Sequence, residues 1–281
     1  MTGAAVAVLG TGRVGLTLGR ALVRCGRPVR LLARSARQAA AGLPAAETDW
    51  GAALAAVSLL VIAVPDDVIA EVAARLAQTG AIGDGHVVLH TSGLHDRSSL
   101  SALEASGAGL GSFHPLQTFP SGVSDPDLLA GVPAIVEGDA RAVAAARELA
   151  TALGMGTTIE LPSAGKTSYH AAAVMASNYL VVLADIAERL AREAGAGKDA
   201  AQLFQPILRQ TLANIAERGT AGALTGPVRR GDSGTVAAHL AVLRGEDRDV
   251  YLALAREALA LARRAGLGGP EAASIEQVLK R

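Results

Sequence analysis

Gly10, Gly12 and Gly15 constrain this chain more than any other residues. They are spaced G-x-G-x-x-G, after the apolar run Ala5–Leu9 and before an amphipathic stretch. A strand that enters such a turn and leaves it as a helix opens a dinucleotide-binding βαβ unit. Each glycine has its own task there. Gly10 lets the chain turn sharply. Gly12 lets a pyrophosphate approach the backbone without meeting a Cβ. Gly15 lets the helix pack close to its strand. The helix start offers free N–H groups and the positive end of a dipole to the phosphates, so Thr11, Arg13 and Val14 join the glycines as cofactor-binding candidates. The bland alternative is a tight strand–helix turn in some other α/β protein. Val14, Leu18, Ala21, Leu22 and Cys25 repeat with a helical period, and Gly26 and Pro28 stop it. That pattern puts Cys25, the chain's one cysteine, on the inward face as a buried thiol and excludes a disulfide within the chain.

Val29–Ala33 reads as the second strand, whose end faces the adenine ribose in this fold. An acidic residue there would accept hydrogen bonds from the ribose 2′-hydroxyl. The sequence has Arg34, Ser35 and Arg37 instead, two guanidinium groups and a hydroxyl that suit a phosphate. NADP(H) is therefore expected over NAD(H). Val57–Val64 is a near-continuous apolar run, as in a parallel strand buried on both faces. It ends at Pro65-Asp66-Asp67, where an Asp can cap a helix over Val68–Ala77. Val64 and Pro65 should lie beside the nicotinamide half of the cofactor. Further strands are predicted at Val87–Thr91, Gly109–Phe113, Val132–Val136 and Thr157–Leu161, with helices over Ser98–Ser106 and Ala140–Leu153; residues 38–56 are weakly specified. Seven or eight strands alternating with helices make an α/β class, a doubly wound Rossmann sheet.

From Pro162 onward no strand pattern remains. One long helix is predicted from Ser163 to about Glu193, then others over Asp199–Glu217, Ser233–Leu243, Asp247–Ala265 and Pro270–Leu279. The expected domains are residues 1–162, binding NADP, and residues 163–281, all-helical, for substrate and dimerisation. With 281 residues, half of them hydrophobic and 2% aromatic, the core must be built from Ala, Leu and Val. A formal net charge of zero argues against nucleic acid and against an anionic membrane surface. The longest apolar helical stretch, Ala171–Ala184, is interrupted by Ser177 and Asn178 and reads as too short to span a bilayer. The chain starts directly into a strand without a charged leader, so a cytoplasmic protein is expected, and a homodimer is expected to bury the Ala/Leu faces of the helical domain.

Two polar strand ends point at the expected nicotinamide, Ser92 and His114. His114 can exchange a proton with a substrate oxygen, and Ser92 can orient that oxygen; a loop-bonding histidine and a turn cap are the structural alternatives. Of 26 basic residues only Lys166, Lys198 and Lys280 are lysines. Lys166 falls in the first turn of the long helix, where the dipole opposes a cation and lowers its pKa, which suits a proton donor. His170 follows four residues later on the same face. Asn178 is twelve residues on, about 120° around an ideal helix, and can border the cleft. Arg229 or Arg230 could meet a substrate carboxylate. No nucleophile elbow is present, and no His, Cys and carboxylate set has metal-ligand spacing.

These residues together resemble the 6-phosphogluconate-dehydrogenase-like superfamily of NADP-dependent oxidoreductases, where a Rossmann domain precedes a helical one. Ser112-Phe113-His114-Pro115-Leu116-Gln117-Thr118-Phe119 and Leu224-Thr225-Gly226-Pro227-Val228-Arg229-Arg230-Gly231-Asp232 resemble a bacterial family within it, a Rossmann-like domain joined to a helical domain of unknown function. The resemblance implies several activities. In prephenate dehydrogenases a His-Pro pair and an upstream serine meet the reacting oxygen, and His114 and Ser92 match them. In hydroxyacid dehydrogenases and ketopantoate reductases a lysine on the first helix of the second domain donates the proton, commonly with Asn four residues later. Lys166 matches, while His170 stands where that Asn would be. The main expectation is an NADPH-dependent reductase of a small 2-keto acid, ketopantoate leading. Prephenate-dehydrogenase-like or imine- and pyrroline-carboxylate-reductase-like chemistry are alternatives, as is a non-catalytic NADP(H)-binding sensor or interaction protein.

Overall fold

The computed structural model describes residues 4–35, 40, 42–197 and 200–280. Chain contacts divide it into two compact units, Met1–Asn178 and Tyr179–Arg281. The first unit thus extends beyond residue 162 and keeps the helix that carries Lys166.

In the first unit, strands β1 (Val6–Leu9), β2 (Val29–Leu32), β3 (Leu59–Ile62), β4 (Val87–His90), β5 (Gly109–Pro115), β6 (Ala134–Gly138) and β7 (Thr158–Glu160) form one sheet in the order β2-β1-β3-β4-β5-β6-β7. Pairing is parallel throughout except for the antiparallel β5–β6 pair. Helices α1 (Arg13–Arg24), α2 (Trp50–Leu54), α3 (Ile69–Thr79), α4 (Ala140–Ala152) and α5 (Lys166–Ala176) complete it, with 3-10 turns over Asp66–Val68, Arg97–Ser106, Pro126–Leu129 and Ser163–Gly165.

Two apolar layers sandwich the sheet because its strands are apolar on both sides. Val6, Val8, Val61, Leu89, Phe113 and Val136 face Leu18 and Leu22 of α1 and Ala146 and Leu149 of α4. Ala7, Leu9, Leu60, Ile62, Val88 and Leu110 face Trp50, Leu54, Ile69 and Leu76. The strand order reverses direction at β1, between β2 and β3, so the crevice over the carboxyl ends of β1 and β3 is the expected ligand position.

Several sequence expectations change. Cys25 is exposed, because α1 ends at Arg24 and Cys25 is already its C-cap. Neither Asp66 nor Asp67 caps α3, whose N-cap is Val68 without a side-chain hydrogen bond. The single helix predicted over 163–193 breaks at Ser177 (φ −119°, ψ −71°), giving α5 and α6 (Asn178–Glu193). The apolar run is nonetheless longer than Ala171–Ala184. Residues 163–193 are long and apolar enough, by length and composition alone, to cross a membrane, and contain an 18-residue window with a mean hydropathy of 1.4, none of it buried.

The second unit is helical: most of α6, then α7 (Ala200–Leu203), α8 (Gln205–Ala223), α9 (Pro227–Arg230), α10 (Ser233–Val242), α11 (Gly245–Arg264) and α12 (Gly269–Leu279). Its core lies among α9–α12, where Val228, Val236, Leu240, Leu259, Ala262 and Ile275 are buried. The short helix α9 falls in a stretch expected to be loop. Its first residue is Pro227, which presets a helical φ. Arg229 there bonds the carbonyl of Ala265 (2.9 Å) and Asp232 caps α10 through Thr235 (3.0 Å). Among the described residues, the side chains buried in this core all come from α9–α12; α6 and α8 leave Val181 and Ile207 more than half exposed.

Candidate active site

The glycines build a cleft at the expected strand ends. A Cβ on Gly10 (φ +128°) would lie 2.2 Å from the carbonyl oxygen of Ala63, and one on Gly15 would lie 2.0 Å from that of Gly10. Both positions therefore admit only glycine. A Cβ on Gly12 would meet nothing within 4 Å, so the space in front of it is open. That open cradle sits at the N-terminus of α1, where the first-turn N–H groups lack intrahelical partners, and it fits a pyrophosphate. The cleft holds about 820 Å³ of free space, part of it open to solvent, and is lined by Gly10, Thr11, Gly12, Arg34, Ser35, Val64 and Pro65 among others. The Val14 side chain packs on the core, and Arg13 donates to the carbonyl of Phe119 (2.9 Å). Arg37 lies outside the described residues.

Beside the cleft, polar side chains interrupt the apolar sheet. His90, Ser112 and Glu137 are register partners across β4, β5 and β6, so they form one row. His114, two residues beyond Ser112, points to the same face. Lys166, at the start of α5, closes over this row. It is 1% exposed, and its ammonium donates to the carbonyl of Ser92 (2.9 Å) and to Ser112 Oγ (3.0 Å). Burial pulls its pKa down to about 8, against the opposing pull of Glu137, Asp66 and Asp96. The downward direction matches the expectation, but desolvation leads where the helix dipole was expected to act.

Ser92 is committed to the structure. Its hydroxyl donates to Asp66 Oδ2 (2.8 Å) and accepts from the backbone N–H groups of Leu94 and His95 (3.1 and 3.0 Å). One donor and two acceptor sites are all a serine has. The turn-cap alternative describes it, and its contribution to the site is its carbonyl. Asp66 follows Pro65 of the cleft wall, so this bond ties the polar row to the cleft. His90 is also spent: Nδ1 accepts from the N–H of Ser92 (3.2 Å) and Nε2 donates to the carbonyl of Asp96 (3.0 Å). Burial lowers its pKa to about 4.

His114 keeps a free nitrogen. Nδ1 lies 2.9 Å from the Tyr169 hydroxyl, with the rings edge to face, and Nε2 has no partner among the described residues. Burial first, then Lys166 and His170, lowers the His114 pKa to about 4, and burial raises that of Tyr169 to about 12. The bare α-carbon of Gly93 makes room for the ring. A Cβ there would lie 2.9 Å from His114 Nε2 and 3.0 Å from His170.

Lys166, Ser92, His114 and His170 are thus gathered at the ends of β4 and β5. Asn178 is exposed and beyond the break at Ser177, so the projection along an ideal helix does not reach it. Sequence reasoning missed Asp66, Ser112, Glu137 and Tyr169. The signal for two of them was a polar residue inside an apolar strand, in Gly-Ser-Phe-His-Pro and Ala-Ile-Val-Glu-Gly. Glu137 escaped because the predicted strand stopped at Val136, one residue short.

Residues 2–115 match the Rossmann-like domain family, and residues 132–258 match the domain of unknown function DUF2520. No curated protein matches the chain. Among solved structures, the Bacteroides fragilis protein BF3122 is 23% identical, with 93% of this chain and 97% of that one covered at a TM-score of 0.68. Protein TM1727 from Thermotoga maritima is 20% identical, with 92% and 98% covered and a TM-score of 0.68. A reductive aminase from Aspergillus terreus, solved with NADPH and ethyl-5-oxohexanoate, is 19% identical, with 100% and 93% covered and a TM-score of 0.61. At these identities the likeness is one of fold. The two domain matches together span most of the chain, a Rossmann-like domain followed by a DUF2520 domain.

Proposed function

We propose that this chain is an NADPH-dependent oxidoreductase that reduces the carbonyl of a small 2-keto acid, with ketopantoate the leading substrate. One observation carries the reading. A buried lysine cation and a neutral histidine with a free nitrogen share the strand ends next to a cleft whose open glycine fits a dinucleotide phosphate. Arg34 and Ser35 in the cleft wall support the 2′-phosphate form of the cofactor, and the NADPH-bound reductive aminase shares the fold.

Bound NADPH supplies the hydride for the carbonyl carbon. The protein's part is to hold the oxygen on which negative charge then develops while a proton reaches it from Lys166 or His114. His114 is uncharged at neutral pH, so the Tyr169 hydroxyl donates to Nδ1 and leaves Nε2–H for that oxygen. Lys166 remains under the row and contributes a fixed positive charge at low dielectric, aimed at an anion that exists only late in the reaction. Its pKa near 8 keeps it protonated at neutral pH. The exposed apolar faces of α6 and α8 support a homodimer that covers them, which light scattering on the purified protein tests.

The decisive assay is NADPH depletion against a panel of 2-keto acids, ketopantoate included, beside cyclic imines and pyrroline carboxylates. Turnover confined to keto acids is expected. Turnover only with imines moves the protein to the imine-reductase class. NADPH binding without turnover on any of them makes it a binding protein.

A further inference from the structure

Glu137 is a buried carboxylate that the mechanism above does not use. It is 2% exposed in the middle of a hydrophobic sheet. A charge in that position is costly unless it is paired and hydrogen-bonded. Three neutral donors reach it: Ser163 Oγ at 2.8 Å on Oε1, and the N–H of Arg97 at 2.9 Å and Ser112 Oγ at 3.3 Å on Oε2. The positive charge that acts on it among the described residues is that of Lys166, and it arrives through Ser112. The ammonium donates to Ser112 Oγ, and that hydroxyl passes its own proton on to the carboxylate. The donor order is therefore fixed from Lys166 through Ser112 to Glu137. It exists because β6 runs antiparallel to β5, which sets Glu137 directly opposite Ser112. Ser163, in the turn that leads into α5, anchors the other oxygen, so the same carboxylate also fixes where α5 begins.

We infer that Glu137 is a positioning residue for the proposed reduction, the counter-ion that holds Lys166 charged and seated at the strand ends through Ser112. The inference rests on Lys166 being the cation of the site, and not on which substrate is reduced. Two further carboxylates act on the lysine, Asp66 from beyond β3 and Asp96 from beyond β4, and His90 on β4 and His114 on β5 face it as well. Asp66 and Asp96 are engaged elsewhere, by Ser92 and Ser98, and Glu137 is the carboxylate joined to the ammonium through one shared hydroxyl.

The chain has three lysines, which makes the test direct. Protein labelled with 13C at the lysine side chains gives three ε-carbon signals by NMR, and Lys166→Arg identifies the one of interest. In the wild type that signal is expected to titrate near pH 8. In Glu137→Gln its midpoint should fall by about one pH unit or more, since an opposite charge this close shifts a pKa by roughly 1–3 units. Glu137→Asp should restore part of the shift. If Glu137→Gln does not fold, Ser112→Ala, which cuts the same chain without uncovering a charge, is titrated instead. A Lys166 midpoint unchanged in the folded variant overturns the inference. The titration needs no substrate, so it stands or falls separately from the keto-acid assay. Where turnover is found, the alkaline limb of the kcat profile should move with the NMR midpoint. A uniform loss at every pH would reduce Glu137 to a packing role and also count against the proposal.

Discussion

The molecule contains two histidine–tyrosine pairs with nearly the same geometry and opposite surroundings. In the first unit His114 Nδ1 lies 2.9 Å from the Tyr169 hydroxyl, with ring centroids 5.7 Å apart at 77°. In the second unit His239 on α10 and Tyr251 on α11 are also 2.9 Å and 5.7 Å apart, at 88°. The bond is the same, but only the first pair is half-buried beside a cation and a row of polar side chains. There the histidine pKa falls to about 4 and the tyrosine is held near 12, which fixes both as neutral at physiological pH. His239 stands on an exposed surface. The difference teaches that a histidine–tyrosine bond has no chemistry of its own. What makes one pair a candidate for catalysis is desolvation, a neighbouring charge and a ring nitrogen left without a partner.

The largest expected effect comes from removing that charge. Lys166→Met should lower kcat by about 10²–10³-fold, the usual cost of losing one preorganised group that stabilises an oxyanion. NADPH affinity should stay within a few-fold, since Lys166 is not in the cleft lining. Steady-state kinetics and a fluorescence titration with NADPH check both parts. Near-normal turnover would remove Lys166 from the mechanism and leave the buried pair no more special than the exposed one.

Next come the members of the buried pair. His114→Ala should lower kcat/KM by about 10²-fold, within the range for a positioned acid or base. Tyr169→Phe keeps the ring and loses the hydroxyl that orients the imidazole, so a smaller fall, about 10-fold, is expected. An unchanged kcat/KM in His114→Ala would make that residue structural. Equal losses in the two variants would mean that Tyr169 itself meets the substrate.

The buried histidines also leave a mark on stability. His90 and His114 both have folded-state pKa values near 4, below their ordinary value. Between pH 4 and about 6.5 the unfolded chain therefore binds more protons than the folded one, so stability rises with pH across that window and falls on acidification. For a shift of this size the fullest loss is about 3 kcal/mol per histidine, reached near pH 4. Thermal melts from pH 7 down to pH 4 should show the fall, and His114→Asn should make it shallower. A melting temperature flat over that range would mean that the ring is solvated and that the contrast between the two pairs is weaker than drawn.

The sequence carried the fold well and the site in part, for physical reasons. Strand positions were legible because strands buried on both faces must be apolar, as Leu59–Ile62 and Val87–His90 are. The cofactor cleft was legible because its demand falls on the backbone, and only glycine answers it at Gly10 and Gly15. Lys166 and His114 were visible by position, one at a helix start and one at a strand end. Their setting was not visible, because it is made between strands. Glu137 meets Ser112 only when the antiparallel register is known, and Tyr169 meets His114 across 55 residues of chain. Ser92 misled for the related reason that a hydroxyl at a strand end serves a turn as readily as a substrate. The break at Ser177 was obscured because the sequence stays apolar on both sides of it, so periodicity continues while the backbone does not.

The smallest expected effect belongs to the exposed pair and is the control that gives the others meaning. His239→Ala and Tyr251→Phe should leave kcat and KM within about two-fold, and should change stability by no more than about 0.5 kcal/mol, as surface substitutions usually do. The reason is solvation at His239, which is exposed, so water replaces the partner it loses; Tyr251 is half-buried against the α9–α12 core and keeps its ring there in Tyr251→Phe. Paired kinetics and denaturant melts of Tyr169→Phe and Tyr251→Phe, the same deletion of one oxygen from the same bond, read the contribution of surroundings directly. If Tyr251→Phe lost turnover to the same degree as Tyr169→Phe, the second unit's surface would hold a working part of the site, and burial would not be what distinguishes the two pairs.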